Sequence, residues 1–335
     1  MTLADLSVDL VWAAATALTV GLVAFAFDLA RLAGRSPARA TAVPAAVTSA
    51  ESTEATTGSS PTPYGPDSTE RAGSEGAPVS RKAAGIGIST TWLGTILLLA
   101  AIVTRGVAAG RAPWANMYEF ALVGTFFALA VFLGVSLRRD VRYLGAFVTG
   151  LSVLFLVLAQ NSFYVVATGV QPALQSYWLV IHVGVAVAAT GIFTVAFATS
   201  AVQLLRDSRD GGSAFLGRRA WRWLDSTPRP AVLEALSFRI NAVAFVLWTF
   251  TLIGGAIWAE DAWGRYWGWD PKEVWSFVVW IVYAAYLHAR TTRGWSGRRA
   301  AYFVLVGYAC VLFNFTGVNI LFDGLHSYSG LPGQE

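Results

Sequence analysis

Apolar runs long enough to cross a bilayer recur along almost the whole of this chain, and that repetition leaves few folds open. Crossing ~30 Å of hydrocarbon takes about 20 apolar residues in a helix. Eight such stretches are read, over 9–30, 88–107, 117–137, 141–159, 177–204, 238–259, 273–290 and 299–321. In lipid a backbone must satisfy its own N–H and C=O groups, which a helix does within one segment. The expected fold is an all-α polytopic membrane protein with about eight transmembrane helices. With 55% hydrophobic and 13% charged residues, an ordinary soluble domain is excluded.

Charge orients the spans. Arg31, Arg35, Arg39, Arg71, Arg81 and Lys82 follow the first span, and Arg138, Arg139 and Arg142 separate the third from the fourth. Seven arginines from Arg206 to Arg239 lie between spans five and six, and Arg290, Arg293, Arg298 and Arg299 between seven and eight. Twenty of the 24 basic residues thus share one side, leaving Arg105, Arg111, Arg265 and Lys272 opposite. The positive-inside rule puts both termini and the loop 260–272 outside. The net charge of +4 reflects this topology and argues for no nucleic-acid partner.

Between Gly34 and Gly85 there is no Leu, Ile, Met, Phe or Trp, while Pro, Ser, Thr, Ala and Glu dominate. Such a segment cannot bury a core. It reads as a disordered cytoplasmic linker over 34–86, dividing a leading transmembrane helix (1–33) from a seven-helix body (87–335). The first span lacks a positive n-region and a small-residue cleavage site, so it reads as an uncleaved helix. Phe215, Leu216, Trp221, Trp223 and Leu224, set among arginines, predict an amphipathic stretch lying on the membrane surface. The single cysteine, Cys310, falls inside the last span, where it serves as a small apolar packer. Dithiol chemistry by this chain alone is excluded.

Six of the fourteen tryptophans lie between Trp258 and Trp280. Trp263, Trp267 and Trp269 crowd into seven residues with Gly264 and Gly268, more than interfacial anchoring needs. The density fits an aromatic surface offered to a large planar apolar ligand, with an empty interfacial belt as the alternative. Asp270-Pro271-Lys272-Glu273 starts the seventh span as a capping box, with Asp270 as N-cap and Glu273 at N3.

Ionisable residues inside a membrane are functional candidates because lipid makes them costly. His182 lies about 8 Å below the start of span five, and His326 follows span eight, so both share the Trp-rich side. His288 lies about 22 Å along span seven, towards the cytoplasm. Neutral imidazoles suit iron, and two of them supply the axial ligands of a haem. Arg265 and Lys272 either meet the propionates of a haem or pair with Glu260 and Asp261. The competing readings are a helix–helix hydrogen bond for His182, a solvated loop residue for His326 and a snorkelling polar residue for His288. No cluster has tetrahedral zinc spacing.

The run Trp263-Gly-Arg-Tyr-Trp-Gly-Trp-Asp-Pro-Lys-Glu273 resembles the tryptophan-rich WWD signature of haem-handling membrane proteins. Pro113-Trp-Ala-Asn-Met-Tyr-Glu119, Ser176-Tyr-Trp-Leu179 before His182, Tyr286-Leu-His-Ala-Arg290 and Leu325-His-Ser-Tyr328 resemble the CcsA (ResC) family of system II cytochrome c biogenesis. The likeness runs from about Trp92 to Tyr328. It implies that His182 and His326 ligate haem b iron on the outer face, against a surface that includes Trp263, Trp267, Trp269 and Asp270. It implies that His288 is a transmembrane ligand whose partner comes from a companion subunit of the CcsB, Ccs1 or ResB type. It further implies a bacterial plasma-membrane protein that exports haem and presents it to the Cys-x-x-Cys-His motif of apocytochrome c. The chain would then be a subunit of a cytochrome c synthase (haem lyase) complex, served indirectly by thiol-reducing proteins. A haem-binding chaperone or transporter without ligation activity, a ligand-free assembly scaffold and a system I WWD protein remain alternatives at this point.

Overall fold

The computed structural model describes residues 2–34, 82–167, 176–292 and 294–326, and among them there is no strand. The long helices are α1 (Leu3–Gly34), α2 (Lys82–Ala109), α3 (Met117–Ser136), α4 (Gly145–Ser162), α5 (Tyr177–Asp210), α6 (Pro230–Trp263), α7 (Pro271–Thr292) and α8 (Arg298–Phe315), with a short α9 (Gly317–Leu321) behind them. Every expected span falls on a helix. The linker expected over 34–86 lies largely outside the described residues, although α2 already begins at Lys82.

Among the described residues seven segments are long and apolar enough to cross a membrane, and α7 is the expected span that falls short. Its 22 residues would reach about 33 Å. Lys272, Glu273, His288 and Arg290, however, dilute its apolar character. The last expected span, 299–321, is also interrupted. Helix α8 stops at Phe315, Thr316 takes φ −97° and ψ −60°, and α9 restarts at Gly317.

Two apolar cores form, and α5 contributes to both. Phe25, Leu98, Phe132, Leu156, Val195 and Leu233 belong to the core shared by α1 to α6. Phe193, Trp248, Tyr283, Val304 and Tyr308 belong to the core of α5 to α8. In the second, Phe193 stacks on Tyr283 at 3.9 Å, tying α5 to α7. Cys310 packs at the edge of this core, as an apolar residue would.

The segment between α5 and α6 is amphipathic, and part of its apolar side packs into the bundle. Leu216, Trp223 and Leu224 are buried, and Trp223 leans on Phe147 of α4 at 6.1 Å. Arg209 grips Asp225 through a two-pronged ion pair, so polar groups face out while the apolar ones enter the bundle. The segment carries a short 3-10 helix, Arg219–Ser226, whose buried residues are Trp223 and Leu224.

Candidate functional site

Two helix ends and a returning C-terminal segment build the site. Helix α6 ends at Gly264, whose φ of +69° is the left-handed C-cap that glycine adopts without a Cβ penalty. Helix α7 starts with the expected capping box: the Asp270 N–H donates to Glu273 Oε2 at 3.1 Å, and the Lys272 N–H donates to Asp270 Oδ1 at 3.0 Å. Glu273 Oε2 also accepts the Gly268 N–H at 2.8 Å. Between the two helices the chain is therefore pinned at both ends, which fixes where its aromatic side chains go.

Asp270 does more than cap. The Leu325 N–H donates to its Oδ2 at 2.6 Å, and His326 Nδ1 donates to its Oδ1 at 2.7 Å across 56 residues of sequence. Burial pushes the Asp270 carboxyl up, but the hydrogen bonds from His326 and from the N–H groups of Lys272 and Leu325 outweigh it. The carboxyl is held below its ordinary range. A Cβ on Gly324 would run into this carboxylate, so glycine is what lets the segment approach. A carboxylate on Nδ1 fixes the tautomer and leaves Nε2 as the free lone pair, the arrangement of a metal-ligating histidine.

His182 reaches the same condition by another route. Its Nδ1 lies 2.9 Å from the Trp178 carbonyl one turn earlier. Because a carbonyl only accepts, Nδ1 carries the proton and Nε2 is again left free. His182 is buried against α6, where Gly254 and Gly255 make room; a Cβ on Gly254 would sit 3.1 Å from the His182 Cβ. Small residues of this kind let membrane helices approach closely.

Trp258 connects the two histidines. It is fully buried, stacks on His182 with ring centroids 5.2 Å apart, and lies 5.6 Å from His326. Trp263 meets His326 edge-on at 4.9 Å. Both histidines and Trp267 line one cavity of about 190 Å³ between α5, α6 and α7. Three buried atoms of its lining residues, Trp114 Nε1, Glu273 Oε1 and Asn314 Oδ1, have no hydrogen-bond partner. Native proteins rarely leave such atoms orphaned, and a ligand or water supplies the partner.

The remaining expected residues lie elsewhere. Trp269 is 73% exposed and does not line the cavity. It adopts φ +59°, the one left-handed non-glycine among the described residues, a conformation that strains a bulky side chain. His288 is exposed on α7, far along the helix from the cavity. Lys272 does not pair with Glu260 or Asp261; its Nζ donates to the Asn314 carbonyl at 2.6 Å and to Asn319 Oδ1 at 2.9 Å in the cavity wall. Arg265 is exposed, its guanidinium folded over Gly268. Trp258, Trp114, Asn314 and Asn319 were not among the expected ligand-contacting residues. Asn314, a polar residue inside the last span, was the available signal. Among the described residues no group of three or more His, Cys, Asp or Glu side chains forms a metal site.

Below the site, Glu119 of α3 accepts Arg105 Nε at 3.0 Å and both terminal nitrogens of Arg111 at 2.6 and 3.0 Å. Its Oε2 also takes the Ala115 N–H at 3.0 Å, holding the loop that carries Trp114 and Asn116 against the cavity. Asn116 caps α3 through the Glu119 N–H.

Residues 114–326 match the family described as cytochrome C assembly protein. The cytochrome c biogenesis protein CcsA of Guillardia theta is 34% identical over 259 residues, covering 73% of this chain and 86% of that one. CcsA of Prochlorococcus marinus is 35% identical over 258 residues, covering 70% and 80%. The chain belongs to the CcsA family. A solved structure, the cytochrome c haem lyase CcmF, shares the fold with a TM-score of 0.63 at 17% identity, covering 94% of this chain and 47% of the lyase. The chain therefore spans about half the length of that lyase. Membership places this multi-pass membrane protein in cytochrome c biogenesis, and the matched region contains every element of the cavity.

Proposed function

We propose that this protein binds haem b at the Trp-rich end between His182 and His326 and presents it for covalent attachment to apocytochrome c. One observation carries the reading. Two imidazoles from distant parts of the chain border one cavity, each with Nδ1 hydrogen-bonded to an acceptor and Nε2 left to bind iron. Trp258 and Trp267 line the cavity and supply apolar surface for the porphyrin, with Trp263 packed behind them on Trp258 and His326, and the protein's contribution is to hold the vinyl edge where thiols can meet it. Cys310 sits at the edge of the second core and lines no part of the cavity. The thiols accordingly come from the Cys-x-x-Cys-His motif of the acceptor, kept reduced by separate thiol-reducing proteins.

The charge distribution supports an orientation in the bacterial plasma membrane with the cavity outside. His288, exposed on α7, supports a second, deeper haem position whose other ligand belongs to a companion subunit of the CcsB, Ccs1 or ResB type. Its exposure leaves the imidazole open to another chain. This arrangement corresponds to system II maturation.

The test is an optical spectrum of the protein purified with and without its companion. Ferrous haem held by His182 and His326 gives a bis-imidazole spectrum. His182→Ala or His326→Ala removes it, and added imidazole restores part of it. A wild-type spectrum from the double variant, with normal cytochrome c maturation, would show that the outer histidines are not ligands.

A further inference from the structure

Four cations stand at the Trp-rich end, and three are accounted for. Arg105 and Arg111 share Glu119, and Arg265 is exposed over Gly268. Lys272 differs. It lines the cavity, and its ammonium is held by two neutral oxygens, the Asn314 carbonyl and Asn319 Oδ1. Among the described residues no carboxylate forms an ion pair with it within 4 Å. The neighbouring Asp270 directs its oxygens instead to His326 and to the backbone N–H groups of Lys272 and Leu325. An ammonium has three donors and only two are used. Burial pushes the pKa of the Lys272 ammonium down to about 7, against the opposing charge of nearby Asp270, so the charged form is costly at this cavity wall and an arriving anion would stabilise it.

The geometry points to Lys272 as the group that recognises a carboxylate of the cavity's ligand. Within the haem reading on which this inference rests, that carboxylate is a propionate. Lys272 and His326 are linked through Asp270, which hydrogen-bonds His326 and is two residues from Lys272. A carboxylate held by Lys272 would give the ligand a second point of attachment beside the histidines and so help orient it in the cavity. Asn314 and Asn319 position the ammonium by fixing two of its donors. Both come from the interrupted end of α8 and α9, where the break at Thr316 turns Asn319 towards α7.

The test compares haem with its dimethyl ester, which keeps the iron, vinyls and ring but has no free carboxylate. Purified full-length protein is titrated with each and followed by the Soret band. Wild type should bind the diacid about tenfold or more tightly than the diester, the scale of one charge-assisted hydrogen bond. Lys272→Gln keeps an N–H donor without the charge, and should bring the two affinities within about threefold while retaining the bis-imidazole spectrum. Lys272→Arg should preserve most of the preference. Equal wild-type affinities for diacid and diester would overturn the assignment, and this comparison needs no variant to fold. An unchanged preference in Lys272→Gln would overturn it too, placing the anion site elsewhere. Failure of the underlying reading looks different: neither porphyrin then gives a bis-imidazole spectrum with wild type, and the Lys272 assignment falls with it.

Discussion

Asp270→Asn isolates the link between the helix cap and the ligand. The wild-type carboxylate accepts three hydrogen bonds, from the Lys272 N–H at 3.0 Å, the Leu325 N–H at 2.6 Å and His326 Nδ1 at 2.7 Å. The amide offers one oxygen where there were two. If that oxygen keeps Lys272 and His326, the NH₂ faces the Leu325 N–H and leaves it unsatisfied, at a cost of about 1–3 kcal/mol. If the oxygen turns to Leu325, the NH₂ faces His326 and favours the wrong tautomer. Either way the imidazole loses its anionic partner, which typically weakens a metal ligand about 10–100-fold, or about 1.4–2.7 kcal/mol. The assay is a haem titration of Asp270→Asn, His326→Ala and the double variant. The Asp270→Asn loss should vanish in the His326→Ala background, because contacting residues are not additive. An equal loss in both backgrounds would refute the claim that Asp270 acts through His326, leaving it a cap and nothing more.

Acidification tests the same carboxylate by another route. Its pKa is depressed in the folded state, so its stabilisation is complete above the unfolded value of about 3.9 and is lost as pH falls below that; protease sensitivity of the 322–326 segment should rise below about pH 4 and not between 5 and 8. Trp269→Gly removes a left-handed strain of about 1–2 kcal/mol, so melting temperature should hold or rise; lower stability would show that the strain is absent. Gly254→Ala forces a Cβ against His182, and should cost about 1–3 kcal/mol of stability and distort the bis-imidazole spectrum; an unchanged spectrum would show that α5 and α6 can separate freely. Glu119→Ala strands two arginines around a fully buried side chain, and a loss of about 3–5 kcal/mol is expected by thermal unfolding in detergent; a shift under 1 kcal/mol would show that water solvates the cluster.

Period and composition settled the elements but not their meeting points. Apolar runs of membrane length located all the long helices, because lipid leaves a segment no other way to satisfy its backbone. The Asp-Pro-Lys-Glu run announced the start of α7, because a cap is a local interaction completed within four residues. His182 and His326 were identifiable because ionisable groups are scarce in such a chain. The pairing of Asp270 with His326 was not legible, since it spans 56 residues and depends on where the end of α9 returns. Nor did anything local separate Lys272, turned into the cavity, from Arg265, turned out, or Trp267 from the exposed Trp269; each side is decided by how the ends of α6 and α7 pack against α8 and α9. Trp258 became part of the site only once α5 and α6 closed over Gly254. Local physics decides helices and caps, whereas the neighbours of a side chain are decided by packing between segments the sequence keeps far apart.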